Sequence, residues 1–74
     1  MNYNYPVLPP SKIIKVLAEL GFIKVSPKGS HVKLRNYNTA RICIIPMHKE
    51  VARGTLKSIL EQADIELEYF LNLL

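Results

Sequence analysis

Residues 30–46 of this 74-residue chain are SHVKLRNYNTARICIIP. Along residues 30–35 polar and apolar side chains alternate, which is typical of a strand with one buried face. Residues 36–39 are turn-forming, and residues 41–45 are mostly β-branched and apolar. A connection this short favours antiparallel strands, because a parallel crossover needs about a dozen residues or more. Apolar side chains on both faces predict that 41–45 is the central or best-covered strand.

The segment before this hairpin predicts a helix and one more strand. Ser11 is a good N-cap, and Gly21 is placed to end the helix as a left-handed C-cap. The apolar positions between them have helical spacing: Ile13, Val16, Leu17 and Leu20. Residues 22–26 then predict a short strand, which Pro27-Lys28-Gly29 ends with a turn.

The segment after the hairpin predicts a polar loop and two helices. The first helix has an apolar stripe of Leu56, Ile59, Leu60 and Ala63. A break near Asp64 precedes a short helix with apolar Leu67, Phe70, Leu71 and Leu74. The predicted order is α-β-β-β-α with a short extra C-terminal helix, a two-layer α+β fold. This is the order of double-stranded RNA-binding domains, which recognise A-form RNA by its shape.

Residues 1–10 are predicted to be an extended N-terminal tail, because Pro6, Pro9 and Pro10 oppose a helix. Tyr3 and Tyr5 in this tail either dock on the domain or remain free. Residues 11–74 form one domain, which is too small for a nucleotide-binding sheet or a second lobe.

The charge is unevenly distributed, although the net value is only +4. All ten basic residues lie between Lys12 and Lys57, where two acids oppose them and leave +8; four acids follow, without a base. This balance favours a polyanionic partner on one face. With 49% hydrophobic residues the chain is not disordered.

Cys43 is the only cysteine, which favours a reducing cytoplasm and a buried structural thiol. No segment has the features of a signal peptide or the length of a membrane span. Two histidines and one cysteine within an apolar run do not predict a metal site, and no cofactor motif is present.

The candidate functional residues fall into three groups. Lys28, Gly29, Ser30 and His31 form the first turn, His48 and Lys49 follow the third strand, and Arg53 and Lys57 begin the next helix. The meander brings these groups towards one edge of the sheet, so we expect a focused basic patch that Lys33 extends. A helix N-terminus also offers free N–H groups to a phosphate.

His31 is the leading catalytic candidate. A histidine exchanges protons near neutral pH, and RNA supplies its own nucleophile in the 2′-OH, so cleavage without a metal is feasible. An exposed histidine nevertheless often has no catalytic role. His48 is either a loop residue or an assisting acid or phosphate contact.

At this point the chain resembles a known family, the HicA (YcfA-like) toxins of prokaryotic toxin–antitoxin pairs. The resemblance lies in Gly29-Ser30-His31, in Pro46-Met47-His48, in the segment from Gly54 to Leu60, and in flanking residues from Pro6 to Leu71. It implies a fold like that of double-stranded RNA-binding domains and an mRNA interferase that needs no metal. It also implies that His31 is catalytic and that a HicB-like antitoxin covers the active site.

Three positions depart from the family pattern. Ser26-Pro27 replaces a frequent Arg-Gln, Arg53 replaces a frequent Pro, and Asp64 replaces a Gly. None of these departures changes His31, so the expected catalytic role is the same. The departures bear on the expected affinity and sequence preference for RNA.

The resulting hypothesis is a cytoplasmic endoribonuclease toxin. His31 acts as general base or acid, with His48 or water in the other role, and the RNA contacts come from Lys28, Gly29, Ser30, Lys33, Lys49, Arg53 and Lys57. The competing hypotheses are a non-catalytic RNA-binding module, a decayed toxin that only binds the antitoxin, and a protein-interaction domain. Whether the toxin forms a homo-oligomer is left open.

Overall fold

The computed structural model describes residues 4–74, apart from the side chains of residues 26–28. The elements are α1 (Pro10–Glu19), β1 (Phe22–Lys28), β2 (His31–Asn36), β3 (Arg41–Pro46), α2 (Arg53–Ala63) and α3 (Leu67–Asn72). This order confirms the predicted α+β fold, α-β-β-β-α followed by a short C-terminal helix.

The sheet is a simple antiparallel meander in the order β1-β2-β3. Along β2 the side chains of Val32 and Leu34 are buried, whereas His31 and Lys33 are exposed. The two helices α1 and α2 contact the sheet and cover the side that Val32 and Leu34 face. The domain therefore has two layers, and one side of the sheet has no helix packed on it among the described residues.

The prediction that residues 41–45 form the central strand is wrong. The central strand is β2, and β3 lies at an edge. Cys43 and Ile45 are fully buried under the helices, but Ile42 and Ile44 on the other side are 38% and 41% exposed. The strand has the apolar pattern of a doubly covered strand, yet the described part of the chain covers only one face.

The side of the sheet without helices is called the open face below. Cross-strand pairing defines it in rows. Ile23, Arg35 and Ile42 form one row, Lys33 pairs with Ile44 in the next, and His31 pairs with Pro46 at the end. The sheet thus presents Ile23, Ile42, Ile44 and His31 on the same side.

The core forms between α1, α2, α3 and the covered side of the sheet. The predicted stripe of α2 is confirmed, because Leu56, Ile59, Leu60 and Ala63 are all buried. In α3 the stripe is shifted from the prediction. Phe70 is fully buried and Leu73 packs beside it, whereas Leu71 and Leu74 are exposed.

The N-terminus of α1 differs from the prediction by two residues. The helix begins at Pro10 with Pro9 as N-cap, and no side chain caps it. Proline is favoured in the first helical turn because its missing N–H is not needed there. The C-terminus is as predicted, since Gly21 has a φ of +97° immediately after the C-cap.

A buried asparagine ties the end of α1 to the sheet. Asn36 donates from Nδ2 to the carbonyl of Leu20 at 3.1 Å. Its Oδ1 accepts from the N–H groups of Asn38 at 2.8 Å and Thr39 at 3.2 Å. A Cβ at Gly21 would lie 3.2 Å from Nδ2 of Asn36, so a side chain there would press on this network.

The first strand is longer than predicted. It continues through Pro27 to Lys28, with a bulge between Lys24 and Ser26. Proline is tolerated because β1 is an edge strand, where one side of the backbone has no partner strand. The turn therefore consists of Gly29 and Ser30 alone.

Part of the N-terminal tail is docked. Tyr5 and Leu8 pack against the core, and Leu8 pairs with Val51. Tyr3 lies outside the described residues. Docking of residue 8 on residue 51 fixes the loop between β3 and α2.

Candidate functional site

His31 lies at the end of the first hairpin, exposed on the open face. Lys28 pairs with His31 and closes the two-residue turn. Gly29 in this turn has a φ of +56°, the left-handed region that glycine occupies without strain. The turn therefore places Ser30 and His31 together on the rim of the sheet.

The hydroxyl of Ser30 engages one nitrogen of the His31 ring. Oγ of Ser30 lies 3.2 Å from Nδ1 of His31. When Nδ1 carries the proton it donates to the serine, and Nε2 is a free base. In the imidazolium form Nδ1 still donates to the serine, and the proton on Nε2 can be given to a leaving group. In both states Nε2 has no hydrogen-bond partner among the described residues and is available to a substrate.

The end of β3 lies beside this turn. The N–H of Met47 donates to the carbonyl of Ser30 at 2.6 Å. His48 and Lys49 follow directly and are exposed. The structure therefore brings the first two predicted groups to the same end of the sheet, as the sequence suggested. No hydrogen bond joins His48 to His31 within the described part of the chain.

The third group lies at the start of α2. Val51 is buried, and its N–H donates to the carbonyl of Leu8 at 2.7 Å. Ala52 is the N-cap and has no side-chain acceptor, so the first N–H groups of α2 are not capped by it. Arg53 is exposed at this terminus. The helix dipole and these N–H groups favour an anion there.

The basic residues do not form one patch. Lys33 lies on the open face, whereas Lys57 is on α2, which packs against the opposite side of the sheet. The side chain of Lys28 lies outside the described residues. Of the remaining predicted cations, Lys49 lies in the loop that follows β3, and Arg53 is the first residue of α2.

Arg35 is not among the functional residues that the sequence predicts. Its guanidinium carbon lies 4.9 Å from the centre of the Tyr37 ring, within the range of a cation–π contact. Its Nε is buried without a hydrogen-bond partner. The spacing of arginine and tyrosine two residues apart, on one side of a strand end, is the signal that could have indicated this pair.

Among the described residues, the candidate site forms part of the exposed surface and lines no cleft. A cleft of about 410 Å³ between the sheet and the C-terminal helices is lined by residues such as Phe22, Asn36 and Tyr69. A second cleft of about 350 Å³ lies between α1 and the C-terminus. Neither contains a residue predicted for the site. An open surface suits a polymer better than a small molecule.

The remaining reactive side chain, the thiol of Cys43, has a structural place in the core. Cys43 is fully buried, and loss of solvation raises the pKa of its thiol to about 11. A thiol with this pKa is a poor nucleophile at neutral pH. Within the described residues, no three His, Cys, Asp or Glu side chains lie close enough to hold a metal ion. No helix in that same part of the chain is long and apolar enough to cross a membrane.

A family model described as the HicA toxin of bacterial toxin–antitoxin systems matches residues 10–65. That range is more than half of the chain and contains the hairpin turn, His31, His48 and the start of α2. This chain belongs to the HicA toxin family. A search of curated proteins found no match.

Membership of the HicA family makes the chain the toxin of a toxin–antitoxin pair, and its partner is an antitoxin. The family model matches a shorter range of residues than the resemblance seen in the sequence. It leaves out Pro6-Val7-Leu8 at one end and Phe70-Leu71 at the other. The candidate site lies entirely inside the matched range.

Proposed function

We propose that this toxin is a metal-independent endoribonuclease that cleaves mRNA and thereby arrests growth. The observation that carries the proposal is the exposed His31, with Nδ1 engaged by Ser30 at 3.2 Å and Nε2 open to a substrate. An mRNA substrate also implies that the toxin acts in the cytoplasm.

In the proposed reaction Nε2 of His31 accepts the proton of a ribose 2′-OH. The 2′ oxygen then attacks the adjacent phosphorus, forming a 2′,3′-cyclic phosphate and breaking the bond to the 5′ oxygen. The leaving oxygen takes a proton from His48 or from water. The reverse assignment, with His31 as the acid, needs the imidazolium form, in which Nδ1 again donates to Ser30 and Nε2 gives its proton to the leaving oxygen.

Lys49 and Arg53 are proposed to bind the phosphates that flank the cleaved bond. Both are exposed, Lys49 in the loop that follows β3 and Arg53 at the positive end of α2. Gly29 contributes a turn without a side chain, which lets the RNA backbone approach closely. Lys28 and Lys33 are proposed as outer contacts along the first hairpin, and Lys57 as an outer contact from α2. General acid–base catalysis supplies about 10²–10⁴-fold, so the enzyme is expected to be slow.

The test is cleavage of a single-stranded RNA in the presence of a chelator. We expect the parent to produce fragments with 2′,3′-cyclic phosphate and 5′-hydroxyl ends. His31→Ala is expected to lose about 10²–10⁴-fold in rate. A substrate with 2′-deoxyribose at the cleaved position should resist the enzyme.

The control variant is His48→Ala, which removes a histidine from the same end of the sheet. A smaller loss than in His31→Ala, confined to one side of the pH–rate profile, would assign His48 as the partner acid. If His31→Ala cleaves as fast as the parent, the mechanism is wrong. If the parent binds RNA without shortening it, the chain is a binding module or a decayed toxin.

A further inference from the structure

The end of β2 that is far from His31 carries an exposed tyrosine beside an arginine. Tyr37 follows the last residue of β2, and its side chain is 63% exposed. The guanidinium carbon of Arg35 lies 4.9 Å from the centre of the tyrosine ring. We propose that Arg35 and Tyr37 form a subsite for one unpaired nucleotide of the RNA, with the base stacked on the tyrosine and a phosphate bound by the arginine. This inference rests on the proposed function and extends it to substrate recognition.

The fold does not use the hydrogen-bonding capacity of Arg35. Its Nε is buried without a hydrogen-bond partner. The salt bridge that the described residues contain joins Arg41 to Asp64, and Arg35 has no carboxylate partner there. A guanidinium is always charged and offers several N–H groups in a plane, which suits a phosphate. The charge of Arg35 is therefore left for a ligand.

Two neighbouring side chains support the position of Arg35. Ile23 on β1 and Ile42 on β3 are its direct cross-strand partners. In such rows the Cβ atoms lie about 4.5–5.5 Å apart, so the aliphatic stem of the arginine stands between two branched side chains. The guanidinium is thus placed against Tyr37 before a ligand arrives, and less side-chain entropy is lost on binding.

The subsite stands in line with the proposed catalytic histidine. His31, Lys33 and Arg35 alternate along β2 and lie on the same face. Tyr37 is six residues beyond His31, at most about 20 Å at ~3.3 Å per residue. A stacked strand rises about 3.4 Å per nucleotide, so the base on Tyr37 is within about six nucleotides of the cleaved bond. Lys33 is placed to contact the phosphates between them.

The chemistry of this surface favours RNA over a protein segment. Unpaired bases of RNA stack on aromatic rings and on the planes of arginine side chains, and both are present here. The sequences of β1, β2 and β3 contain no Asp or Glu. A chain of phosphates therefore meets no repulsive charge from the strands between His31 and Tyr37.

The subsite takes one base and tolerates its identity. Among the described residues of the open face, the isoleucines offer no flat plane, and Tyr37 supplies the exposed ring. Every base has a π-face, so stacking on one ring discriminates little between sequences. The subsite is therefore expected to set how long an RNA must be for tight binding, rather than which base it carries there.

The test measures the affinity of a single-stranded RNA oligonucleotide for variants made in the His31→Ala background, where the RNA stays uncut. Tyr37→Ala is expected to weaken binding by about 5- to 150-fold, the range for the loss of one base–aromatic stack. Tyr37→Phe keeps the ring and should bind within about twofold of the background protein.

Tyr69→Ala is the matched control. Tyr69 lies on α3, away from the open face, and its exposure of 58% is close to that of Tyr37. Both tyrosines are exposed, so both alanine variants are expected to fold. The control should bind RNA within about twofold of the background protein.

The salt dependence of binding separates the arginine from the tyrosine. Arg35→Ala should make the plot of log Kd against log salt less steep by about 0.7, the value for one phosphate contact of a single strand. Tyr37→Ala should leave this slope unchanged, because stacking releases no counterion. Arg35→Lys should keep the slope and lose affinity, since lysine has the charge without the planar group.

Fluorescence and kinetics locate the stacked base. A 2-aminopurine placed at successive positions of the RNA should be quenched most at one position within about six nucleotides of the cleaved bond, and Tyr37→Ala should abolish this quenching. With His31 intact, Tyr37→Ala should raise KM for the full oligonucleotide and leave kcat near that of the parent, because a remote base binds alike in the ground and transition states. A dinucleotide should be cleaved equally by both proteins.

The tyrosine variants decide the proposal. Loss of RNA affinity in Tyr37→Ala, with recovery in Tyr37→Phe and none lost in Tyr69→Ala, supports the subsite. Equal affinity of Tyr37→Ala and the background protein overturns it, and so does an equal loss in the two alanine variants. Unchanged RNA affinity with weakened antitoxin binding makes the pair a protein contact only and overturns it as well. RNA binding that depends on Tyr37 in a toxin that cleaves no RNA supports the subsite and refutes the ribonuclease separately.

Discussion

Oγ of Ser30 lies 3.2 Å from Nδ1 of the neighbouring His31, and this contact leaves Nε2 as the open nitrogen of the ring. The two residues are adjacent in the chain, but their geometry depends on the two-residue turn and on the pairing of Lys28 with His31. In the proposed mechanism the hydroxyl of Ser30 orients the imidazole and takes no part in proton transfer to the substrate.

Ser30→Ala is therefore expected to lower kcat for RNA cleavage by about 2- to 10-fold, the effect of losing one hydrogen bond. KM should change little, because the serine does not contact the phosphates in this scheme. Ser30→Thr keeps the hydroxyl and serves as the control. A loss in Ser30→Ala as large as that in His31→Ala would show that the serine does more than orient the ring.

Gln62→Leu is expected to expose the edge of β3. The substitution removes the acceptor of the Ile44 N–H, which should lower the free energy of unfolding by about 1 kcal/mol. An unpaired edge also invites another strand, so light scattering should detect more self-association than in the parent.

Gln62→Glu provides the control for this edge, because a carboxylate oxygen can accept the same hydrogen bond. We expect it to remain as monodisperse as the parent. Equal self-association in Gln62→Leu and the parent would argue that the side chain does not protect the strand.

Asn36→Ala is expected to destabilise the domain by about 2–3 kcal/mol. The side chain makes three hydrogen bonds to backbone groups and is only 6% exposed, so its removal leaves those groups without partners. Asn38→Ala is a control of the same residue type, because the network uses only the backbone N–H of Asn38. Urea denaturation should show a change within about 0.5 kcal/mol for the control. Similar losses in both variants would contradict the assigned role.

The buried thiol of Cys43 is expected to make stability sensitive to alkaline pH. Its pKa is raised by burial from 9.0 to about 11, so the folded state holds the thiol proton more tightly than the unfolded state. The resulting stabilisation is present below pH 9 and is lost as the pH rises towards 11.

Cys43→Ala removes this titration and keeps all other alkaline groups, so the two proteins should be compared by denaturation at pH 8 and pH 10. The difference in their free energies of unfolding should shrink by about 1 kcal/mol over this interval. If the difference in free energy of unfolding between the two proteins does not change with pH, the thiol has the same pKa in the folded and unfolded states.

Most elements could be predicted from the sequence, because local periodicity reflects burial in a two-layer domain. The stripe Leu56, Ile59, Leu60 and Ala63 is buried as expected, and Gly21 ends α1 in the left-handed region. The observed start of α1 lies two residues before the predicted one. Pro10 occupies the first helical position, so Ser11, predicted as the N-cap, lies inside the helix. β1 is also longer than the sequence predicts. Proline is excluded only from strand positions whose N–H must donate to a neighbouring strand, and an edge strand has positions without that need.

The candidate site was only partly predictable. The motif Gly29-Ser30-His31 indicated the hairpin turn, and the structure brings Met47 and His48 beside it. The expected single basic patch is instead divided, because Lys33 and Lys57 belong to opposite sides of the sheet. A linear sequence records which residues are basic but not which layer each element joins.

The sequence by itself determined the order of helices and strands, the uneven charge and the histidine that the family places in its turn. Each of these follows from residues that are neighbours in the chain. Only the tertiary structure decided that β3 is an edge strand and that Ile42 and Ile44 face solvent. Apolar residues on both sides of a strand indicate that both sides will be covered, but the helices of this chain cover only one of them. How deeply a residue is buried depends on packing between segments that are distant in the chain. Periodicity alone does not show which segment covers a given face.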